Sequence, residues 1–573
     1  MRLKKASFAL LASAALVLGA CSSADSGSKG AEGGDSSNSL PGSDVNRVDR
    51  DKLEKGGNLR LSISSMPTNY NYMQFDGTTA DINKIYGFIA PANWKYAEDG
   101  TFKENKNYVE SFKYDDTENG DVKQTVTLTL NPKAKWNSGR AIDYTDYKAT
   151  WDACNDDSVD PEKANPDAQY LCGSTDGWKQ ISSIEQGKDQ FEVVVKYNKK
   201  YPDWSANLSG VYPAEGFKDA TTFNKGWTDL SKINNYFAGP FKVDSVDNAK
   251  GVITLKKNEN WWGDEAILDT VTFSAMEVDA TATAFANKEL DVVDMIVDAS
   301  TYELVKGRPD ADIKTSASVQ WRHFTVNSKA GVLADKALRQ AIQKGINTDD
   351  IIASDLAGLP SAKMDMKLGN HFFMPNQKGY KDNSVKFDPE ASKKEIEDLG
   401  YKMNDATKYY EKDGKVLGFK YLRLPDTPTS ANEGASLQAQ MKEIGVKVDF
   451  EDTTSKEFFT KIGAGEFETA AFTWQGTPYP MANIGQIYGP NSQMNYSGVD
   501  DPKIAEYMEK VASETDPDKR IELTNEADKV IWDNVMTIPI YYRATITAVP
   551  KNLANFGATA FETFPAEDIG YTK

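Results

Sequence analysis

Residues 125–151 read TVTLTLNPKAKWNSGRAIDYTDYKATW, and this stretch decides the fold class. It opens with alternating apolar and polar residues, which predict a half-buried strand ending at an Asn-Pro turn. A second turn, WNSG, leads to Asp143, a residue type that favours the start of a helix. The helix places Tyr147 and Trp151 four residues apart and therefore on one face. A strand followed so closely by a helix indicates mixed α and β structure.

Strands and helices keep alternating outward from this stretch. Asp335 and Asp388 are predicted to begin helices, and Gly445 to end one, because these residue types favour those positions. The predicted strands lie at 56–63, 191–197, 239–243, 252–255, 271–273, 291–293, 324–327, 446–450, 469–474 and 538–542. The predicted helices lie at 280–287, 335–346, 388–399, 432–444, 456–462 and 516–535. This alternation predicts an α/β body.

The first residues carry the pattern of a bacterial secretion signal. Basic residues precede an apolar run that is too short to span a bilayer, which takes about 20 residues. The run ends at Leu18-Gly19-Ala20-Cys21, which resembles the lipobox of bacterial lipoproteins, whose cysteine is diacylated. The alternative is ordinary cleavage that leaves Cys21 as a thiol. We predict a signal peptide at 1–20, then a lipidated (palmitate-bearing) Cys21 and a flexible tether over 21–56.

The length and net charge of the chain limit its possible domain organisation and partners. Its 573 residues exceed what one hydrophobic core usually serves, so two or three lobes are expected. A net charge of −19 argues against nucleic acid or an anionic membrane surface as partner. No second apolar stretch approaches a transmembrane length. The protein is therefore expected on the outer face of the cytoplasmic membrane, held there by its lipid.

The remaining cysteines and the histidines are few. Cys154 and Cys172 are an even pair in an exported chain, which predicts a disulfide; a redox or metal pair is the alternative. His323 and His371 are the only histidines, so no zinc cluster can form from His and Cys spacing. No nucleophile, phosphate-loop or dinucleotide motif occurs. We predict no cofactor, no metal site and no enzymatic activity.

Six segments, taken in order, resemble motifs of the family 5 extracellular solute-binding proteins of bacteria, the peptide, dipeptide and nickel class. The resemblance covers nearly the whole chain after the signal peptide. The segments are 125–151 with its WNSG turn, 238–241 (AGPF), 258–263 (NENWWG), Asn327 with 335–341 (DKALRQA), 387–401 (FDPEA to GY) and 437–445.

The resemblance implies a two-lobed, periplasmic-binding-protein-like fold (type II, large class) with an inserted extra subdomain. The ligand would lie in a cleft between the lobes, which close on it by a hinge motion. Lobe I would comprise 57–99, 231–315 and 537–573, the inserted subdomain 100–230, and lobe II 316–536.

The family resemblance also implies ligand residues. The segment after the strand ending at Trp474 would line the cleft through Trp474, Gln475, Gly476, Thr477 and Tyr479. Thr477 stands where peptide binders often carry an Asp that pairs with the ligand's α-amino group. An ammonium group sealed in a cleft without a carboxylate is costly. Either another carboxylate serves, or the ligand is not a peptide with a free N-terminus.

Four further candidates have structural alternatives. Tyr70 and Asn71 follow the first strand, where they are ligand contacts or turn residues. Trp321 and Tyr541 lie on strands near the crossings between the lobes, where they face the ligand or the core.

The sequence thus predicts a monomeric, extracytoplasmic substrate-binding lipoprotein of an ABC importer, which captures oligopeptides and delivers them to permease subunits in the membrane. Two alternatives stay open. The ligand is a glycan, glycolipid or metal chelate, or the lipoprotein regulates the envelope without transport.

Overall fold

The computed structural model describes residues 40–155, 169–294, 296–375, 377–482, 484–490, 492 and 494–573. Cys21, the predicted signal peptide and most of the predicted tether lie outside the described residues. The described end of that tether is held in place rather than flexible, because Ser43–Val45 pairs with Gly557–Thr559 and Leu53–Glu54 with Gly570–Thr572. Across the described ranges, no helix is long and apolar enough to cross a membrane.

Lobe I is built on a four-stranded mixed sheet. Its strands run in the order Phe241–Asp247, Val252–Lys257, Thr270–Ala275 and Asn58–Ile63. The last two pair in parallel although they are far apart in sequence. Alternate residues of Asn58–Ile63 are buried, as its apolar alternation predicts. The helix Ala80–Ile89 packs on this sheet and brings Phe88 against Phe241 and Phe273.

The residues predicted to form the inserted subdomain contain a separate four-stranded antiparallel sheet. Its strands run in the order Val109–Asp115, Gln124–Leu130, Glu192–Tyr197 and Ile181–Gln186. The helix Tyr144–Cys154 starts with a capping box in which Asp143 caps the helix and Asp146 bonds back to the Asp143 amide. The predicted disulfide joins Cys154 to Cys172, whose Cα atoms are 5.6 Å apart.

Lobe II is built on a five-stranded mixed sheet. Its strands run in the order Lys447–Asp452, Gly418–Arg423, Thr469–Gln475, Gln320–Val326 and Thr537–Tyr542. The first three pair in parallel and the last three in antiparallel fashion. The strands Thr469–Gln475, Gln320–Val326 and Thr537–Tyr542 are almost entirely buried.

The chain crosses twice between the lobes. The strand Ala311–Ser316 precedes Gln320–Val326, and Thr545–Pro550 follows Thr537–Tyr542; the two outer strands pair antiparallel. The crossings therefore connect directly to the two strands at one side of the lobe II sheet. Any ligand contact at the ends of these strands lies next to the hinge.

The remaining elements complete both lobes. The remaining helices are Trp204–Asn207, Ala214–Phe217, Ala220–Lys225, Val278–Ala286, Ala299–Lys306, Lys336–Lys344, Thr348–Asp355, Pro389–Asp398, Pro428–Glu443, Ser455–Ala464, Ile484–Tyr488, Pro502–Ser513 and Pro517–Asn534. The remaining strands are Ser43–Val45, Leu53–Glu54, Trp94–Tyr96, Phe102–Glu104, Lys402–Asn404, Tyr409–Lys412, Lys415–Val416, Leu553–Ala554, Gly557–Thr559 and Gly570–Thr572.

The predicted mixture of helices and strands is confirmed, with one element wrong. Residues 291–293 form no strand; Val293 makes only an isolated bridge to Ala548. Asp291 bonds Arg60 through both its backbone amide and its carboxylate, whereas Val293 bonds Ala548 on a different strand. The two residues thus pair with different neighbours, and no continuous ladder forms.

Candidate ligand-binding site between the lobes

The lobe II sheet brings together candidates that are distant in sequence. In its register Trp321 pairs with Trp474 on one side and with Tyr542 on the other, while Gln320 pairs with Gln475. Directly opposed residues on neighbouring strands share a face of the sheet. The sequence placed Trp321 and Trp474 near a cleft separately, and the register makes them neighbours.

Trp474 lies inside an aromatic cluster. Its ring stacks on Tyr496 at a centroid distance of 5.9 Å and on His323 at 5.9 Å, with both pairs nearly parallel. Burial lowers the pKa of His323 well below its usual value, so the imidazole is neutral and stacks as an aromatic ring. Phe75 and Phe561, from outside lobe II, pack against the same cluster. The cluster therefore forms an apolar wall where the lobes meet.

Tyr541 lies on the opposite face of the sheet. It is only 1% exposed, and its hydroxyl donates to Oδ2 of Asp355 at 3.2 Å. Burial, followed by the charge of Glu433, raises the pKa of Asp355 to about 8. Glu433 itself forms a buried, two-bond ion pair with Arg322. Tyr541 is therefore joined to a polar network inside lobe II rather than to the aromatic wall.

The segment after Trp474 makes two tight internal contacts. The amide of Gly476 donates to the carbonyl of Val319 at 2.6 Å, and a Cβ at position 476 would lie 2.9 Å from that oxygen. The Thr477 hydroxyl accepts the amide hydrogen of Tyr479 at 3.0 Å. Thr477 therefore stabilises a turn, and its neutral side chain supplies no charge to the cleft.

Gln475 and Tyr479 differ in what they offer. Among the described residues the Gln475 side chain makes no hydrogen bond, and it is only partly buried. The Tyr479 hydroxyl instead bonds the Ser205 hydroxyl at 2.8 Å, across the boundary between lobe II and the inserted subdomain. Gln475 is thus available to a ligand, whereas Tyr479 already joins two parts of the protein.

Tyr70 and Asn71 are held within lobe I and the inserted subdomain. The Asn71 amide donates to the Phe223 carbonyl at 2.9 Å, and its Oδ1 accepts from the Met73 amide at 3.1 Å. Burial raises the pKa of Tyr70 to about 12, and the side chain is almost fully enclosed. A ligand contact by either residue stays a prediction.

Two ion pairs join the segment predicted as the inserted subdomain to the predicted lobe II. Asp203 and Arg520 form a buried pair with two hydrogen bonds, of which Nη1 to Oδ1 measures 2.8 Å. Lys199 and Glu509 form an exposed pair at 2.6 Å. Both join the segment after the antiparallel sheet to the last helices of lobe II. No local pattern in the sequence marked Asp203 or Arg520, since their side chains meet only in the folded protein.

A cavity of about 380 Å³ lies beside these ion pairs. Its lining includes Tyr201 and Lys179 from the inserted subdomain and Met481, Ile484 and Met508 from lobe II. No group of three or more His, Cys, Asp or Glu side chains that could hold a metal occurs in the ranges the structure describes.

Comparison with known proteins places the chain in a family. The model of the bacterial extracellular solute-binding proteins, family 5 Middle, matches residues 92–496. The chain belongs to this family. The chain is 31% identical to the oligopeptide-binding protein OppA of Mycobacterium tuberculosis over 540 residues, covering 93% of this chain and 87% of that protein. It is 25% identical to OppA of Lactococcus lactis, covering 73% and 74% respectively.

Solved structures show the same fold for this family 5 protein. A periplasmic EDTA-binding protein, EppA, aligns with a TM-score of 0.81 at 23% identity over 92% of this chain and 98% of its own. The oligopeptide-binding protein AppA of Bacillus subtilis, solved with a nonapeptide, aligns with a TM-score of 0.74 at 18% identity over 91% and 100%. NikZ of Campylobacter jejuni, solved with Ni(L-His), reaches 0.73 at 17% identity over 90% and 98%. The two-lobed α/β fold expected from the sequence is confirmed.

Proposed function

We propose that this chain is the substrate-binding protein of an ABC importer and that it captures oligopeptides. The observation that carries the proposal is the 31% identity to an oligopeptide-binding protein over 93% of the chain. Because the similarity extends over nearly the whole chain, the relative's ligand class is the best guide to the ligand of this chain. Capture and delivery require no bond to be made or broken, and we propose that the protein is not an enzyme.

The geometry supports capture by closure of two lobes. Trp321 and Trp474 give lobe II an apolar wall, and Gln475 offers an amide at the end of the strand that carries Trp474. Phe75 and Phe561 approach that wall from the other side. An extended peptide buried between them would gain apolar contact from its side chains and hydrogen bonds from the amide. The Asp203–Arg520 pair then holds the closed arrangement.

The finer parts of the proposal concern location and partners. We propose that Cys21 carries the lipid anchor, that 1–20 is removed, and that the tether lets the body reach permease subunits at the membrane. We further propose a monomer divided into lobe I (57–99, 231–315 and 537–573), an inserted subdomain (100–230) and lobe II (316–536). The pairing of Ala311–Ser316 with Thr545–Pro550 supports two crossings near the proposed boundaries.

The function is tested by identifying the bound ligand. The full chain is purified gently and its mass measured under native conditions, and the added mass is sequenced by fragmentation. Peptides of several residues are expected, and adding a mixed pentapeptide library to stripped protein should raise its thermal midpoint. A library that leaves the midpoint unchanged, together with a non-peptide bound mass, would refute the proposal.

A metal chelate is the second candidate ligand. Thr477 supports it, because its neutral hydroxyl is engaged with the Tyr479 amide and supplies no carboxylate for an α-amino group. The structural relative EppA is described as binding EDTA. The same thermal measurement with ethylenediaminetetraacetate, free and loaded with iron(III), separates this candidate from the peptide library.

A further inference from the structure

Arg543 lies at the point where the chain leaves lobe II for the second crossing. It follows the strand Thr537–Tyr542, and its amide donates to the carbonyl of Gln320 at 2.8 Å. The residue is 8% exposed, yet within the described ranges its guanidinium forms no hydrogen bond and no ion pair. A buried cation therefore lies next to the hinge without a hydrogen-bonded partner among the described residues.

The other buried arginines of the described chain show how unusual this is. Each of them donates hydrogen bonds from its guanidinium to carboxylates or carbonyl oxygens. The pairs are Arg308 with Asp310 and the Phe285 and Leu290 carbonyls, Arg322 with Glu433, Arg339 with the Leu333 and Asn534 carbonyls, and Arg520 with Asp203 and the Val511 carbonyl. A guanidinium cannot lose its proton in a protein, so burial without a partner costs stability. Arg543 bears that cost in the unliganded protein.

Nearby side chains do not hydrogen-bond Arg543. Its charge acts on Asp355 and Tyr541, but Tyr541 donates its hydroxyl to Oδ2 of Asp355, and neither side chain bonds the guanidinium. Among the described residues the hydrogen-bond donors of the Arg543 guanidinium therefore remain unused.

The neighbours of Arg543 are polar and belong to the candidate site. Gln320 stands beside it on the next strand, and Gln475 stands beside Gln320 on the strand after that. Three polar residues therefore form a row across three strands at the end of the sheet. Gln475 was already predicted to bind ligand, and the row extends that site to the hinge.

We propose that Arg543 binds a carboxylate of the ligand held between the lobes, with Gln475 completing the contact. The inference rests on the proposed capture of a ligand in this cleft. The proposal also accounts for the neutral side chain of Thr477. If the protein recognises the ligand's carboxylate through Arg543, it does not need a carboxylate at position 477 to bind the ligand's ammonium group. For a peptide ligand, the carboxylate is its C-terminus; for a chelate, it is one of the chelator's own.

The test compares ligands that differ only in their terminal charges. Three forms of one mixed pentapeptide library are used: free at both ends, acetylated at the N-terminus, and amidated at the C-terminus. Binding to the full chain is measured by calorimetry and by thermal midpoint. The free and acetylated forms should bind alike, and amidation should weaken binding about 10- to 100-fold, since a charge-assisted hydrogen bond is lost.

Variants then assign the effect to Arg543. Arg543→Gln should bind free and amidated libraries equally, and Arg543→Lys should keep part of the preference. Arg423→Gln is the matched control, because Arg423 lies on the same sheet but pairs with Asp452 at its exposed edge. Since Arg543 has no internal partner, Arg543→Gln should leave the thermal midpoint of the unliganded protein unchanged or raised, unlike the loss of a structural arginine.

The outcomes separate the inference from the proposed function. If peptides bind and amidation weakens the wild type and Arg543→Gln equally, the Arg543 inference is wrong and the peptide function stands. If no library binds but ethylenediaminetetraacetate does, and Arg543→Gln weakens it, the inference stands and the peptide function is wrong. If neither ligand binds, both are refuted.

Discussion

At the scale of single residues, burial decides chemistry that residue type alone leaves open. Asp355 is a carboxyl group near the hinge, and its folded pKa of about 8 is set by enclosure and by the negative charge of Glu433. Arg322 and Arg543 oppose that shift without cancelling it. The folded protein therefore holds a proton on Asp355 that the unfolded chain releases near pH 4.

Because the folded protein holds this proton and the unfolded chain releases it, the free energy of unfolding decreases as pH rises. Stability from Asp355 is greatest below about pH 4, falls as pH rises and levels off above about pH 8, because ionising the buried carboxyl favours unfolding. The slope for one such group approaches about 1.4 kcal/mol per pH unit. Asp355→Asn should remove this pH dependence, because asparagine does not ionise. The free energy of unfolding of the variant, minus that of the wild type, should therefore increase between pH 5 and pH 8.

Urea unfolding at three pH values checks this, with Asp350→Asn as the control. Asp350 lies on the exposed side of the same helix, Thr348–Asp355. Parallel pH profiles for wild type and Asp355→Asn would contradict the assignment.

Gly476 illustrates a steric requirement at the same scale. A Cβ at this position would meet the Val319 carbonyl at 2.9 Å, while Gly463 has open space around its Cα. We expect Gly476→Ala to lower the free energy of unfolding by about 1–3 kcal/mol through a forced backbone shift. Gly463→Ala, inside the helix Ser455–Ala464, should instead raise it by up to about 1 kcal/mol. Effects of the same sign in both would show that crowding is not the cause.

At the scale of elements, local chemistry marks where helices begin. Asp335, Asp388 and Asp516 each accept backbone amide hydrogens at the first turn of their helices. The caps at Asp335 and Asp388 are predicted from residue type and position, because a cap involves only three or four consecutive residues. Strand alternation was similarly visible in Asn58–Ile63 and Gln124–Leu130, each of which buries alternate residues.

The cap at Asp388 yields a direct prediction. Its carboxylate accepts the Ala391 amide at 2.9 Å at the start of Pro389–Asp398. Asp388→Ala should lower the free energy of unfolding by about 1 kcal/mol, while Asp388→Ser keeps an acceptor and should stay near wild type. Urea unfolding measures both. Equal losses in the two variants would mean that the cap is not what Asp388 contributes.

At the scale of the whole molecule, the contacts between lobes decide whether the cleft is shut. The Asp203–Arg520 pair is buried at that boundary, and the Tyr479–Ser205 bond lies in the same boundary. Removing one partner of a buried pair leaves an uncompensated charge, at a cost of about 3–5 kcal/mol. Opening the lobes returns that charge to water, so the cost appears as a shift toward the open form.

Asp203→Asn should therefore open the protein. We expect a larger radius of gyration in small-angle X-ray scattering and a ligand affinity at least about 10-fold weaker. Lys199→Ala, which breaks the exposed pair with Glu509, should change neither, since exposed pairs contribute little. Unchanged scattering in Asp203→Asn would mean that the pair does not control closure. Adding Arg520→Gln should recover part of the loss, because it removes the unpaired charge.

Local sequence patterns predicted the helix ends, most strands, the mixed fold class and the disulfide partners, and they point to the segment 474–479 as a candidate site. These follow from periodicity, capping and motif order, which act over a few neighbouring residues. The strand register and the folded contacts were needed to show that Trp321 and Trp474 share a face, that Tyr541 lies on the other, and that Asp203 meets Arg520. The fold also leaves Arg543 without a hydrogen-bonded partner among the described residues. The reason is physical: strand neighbours and buried charge pairs join residues far apart in the chain, and no local pattern encodes which distant group arrives.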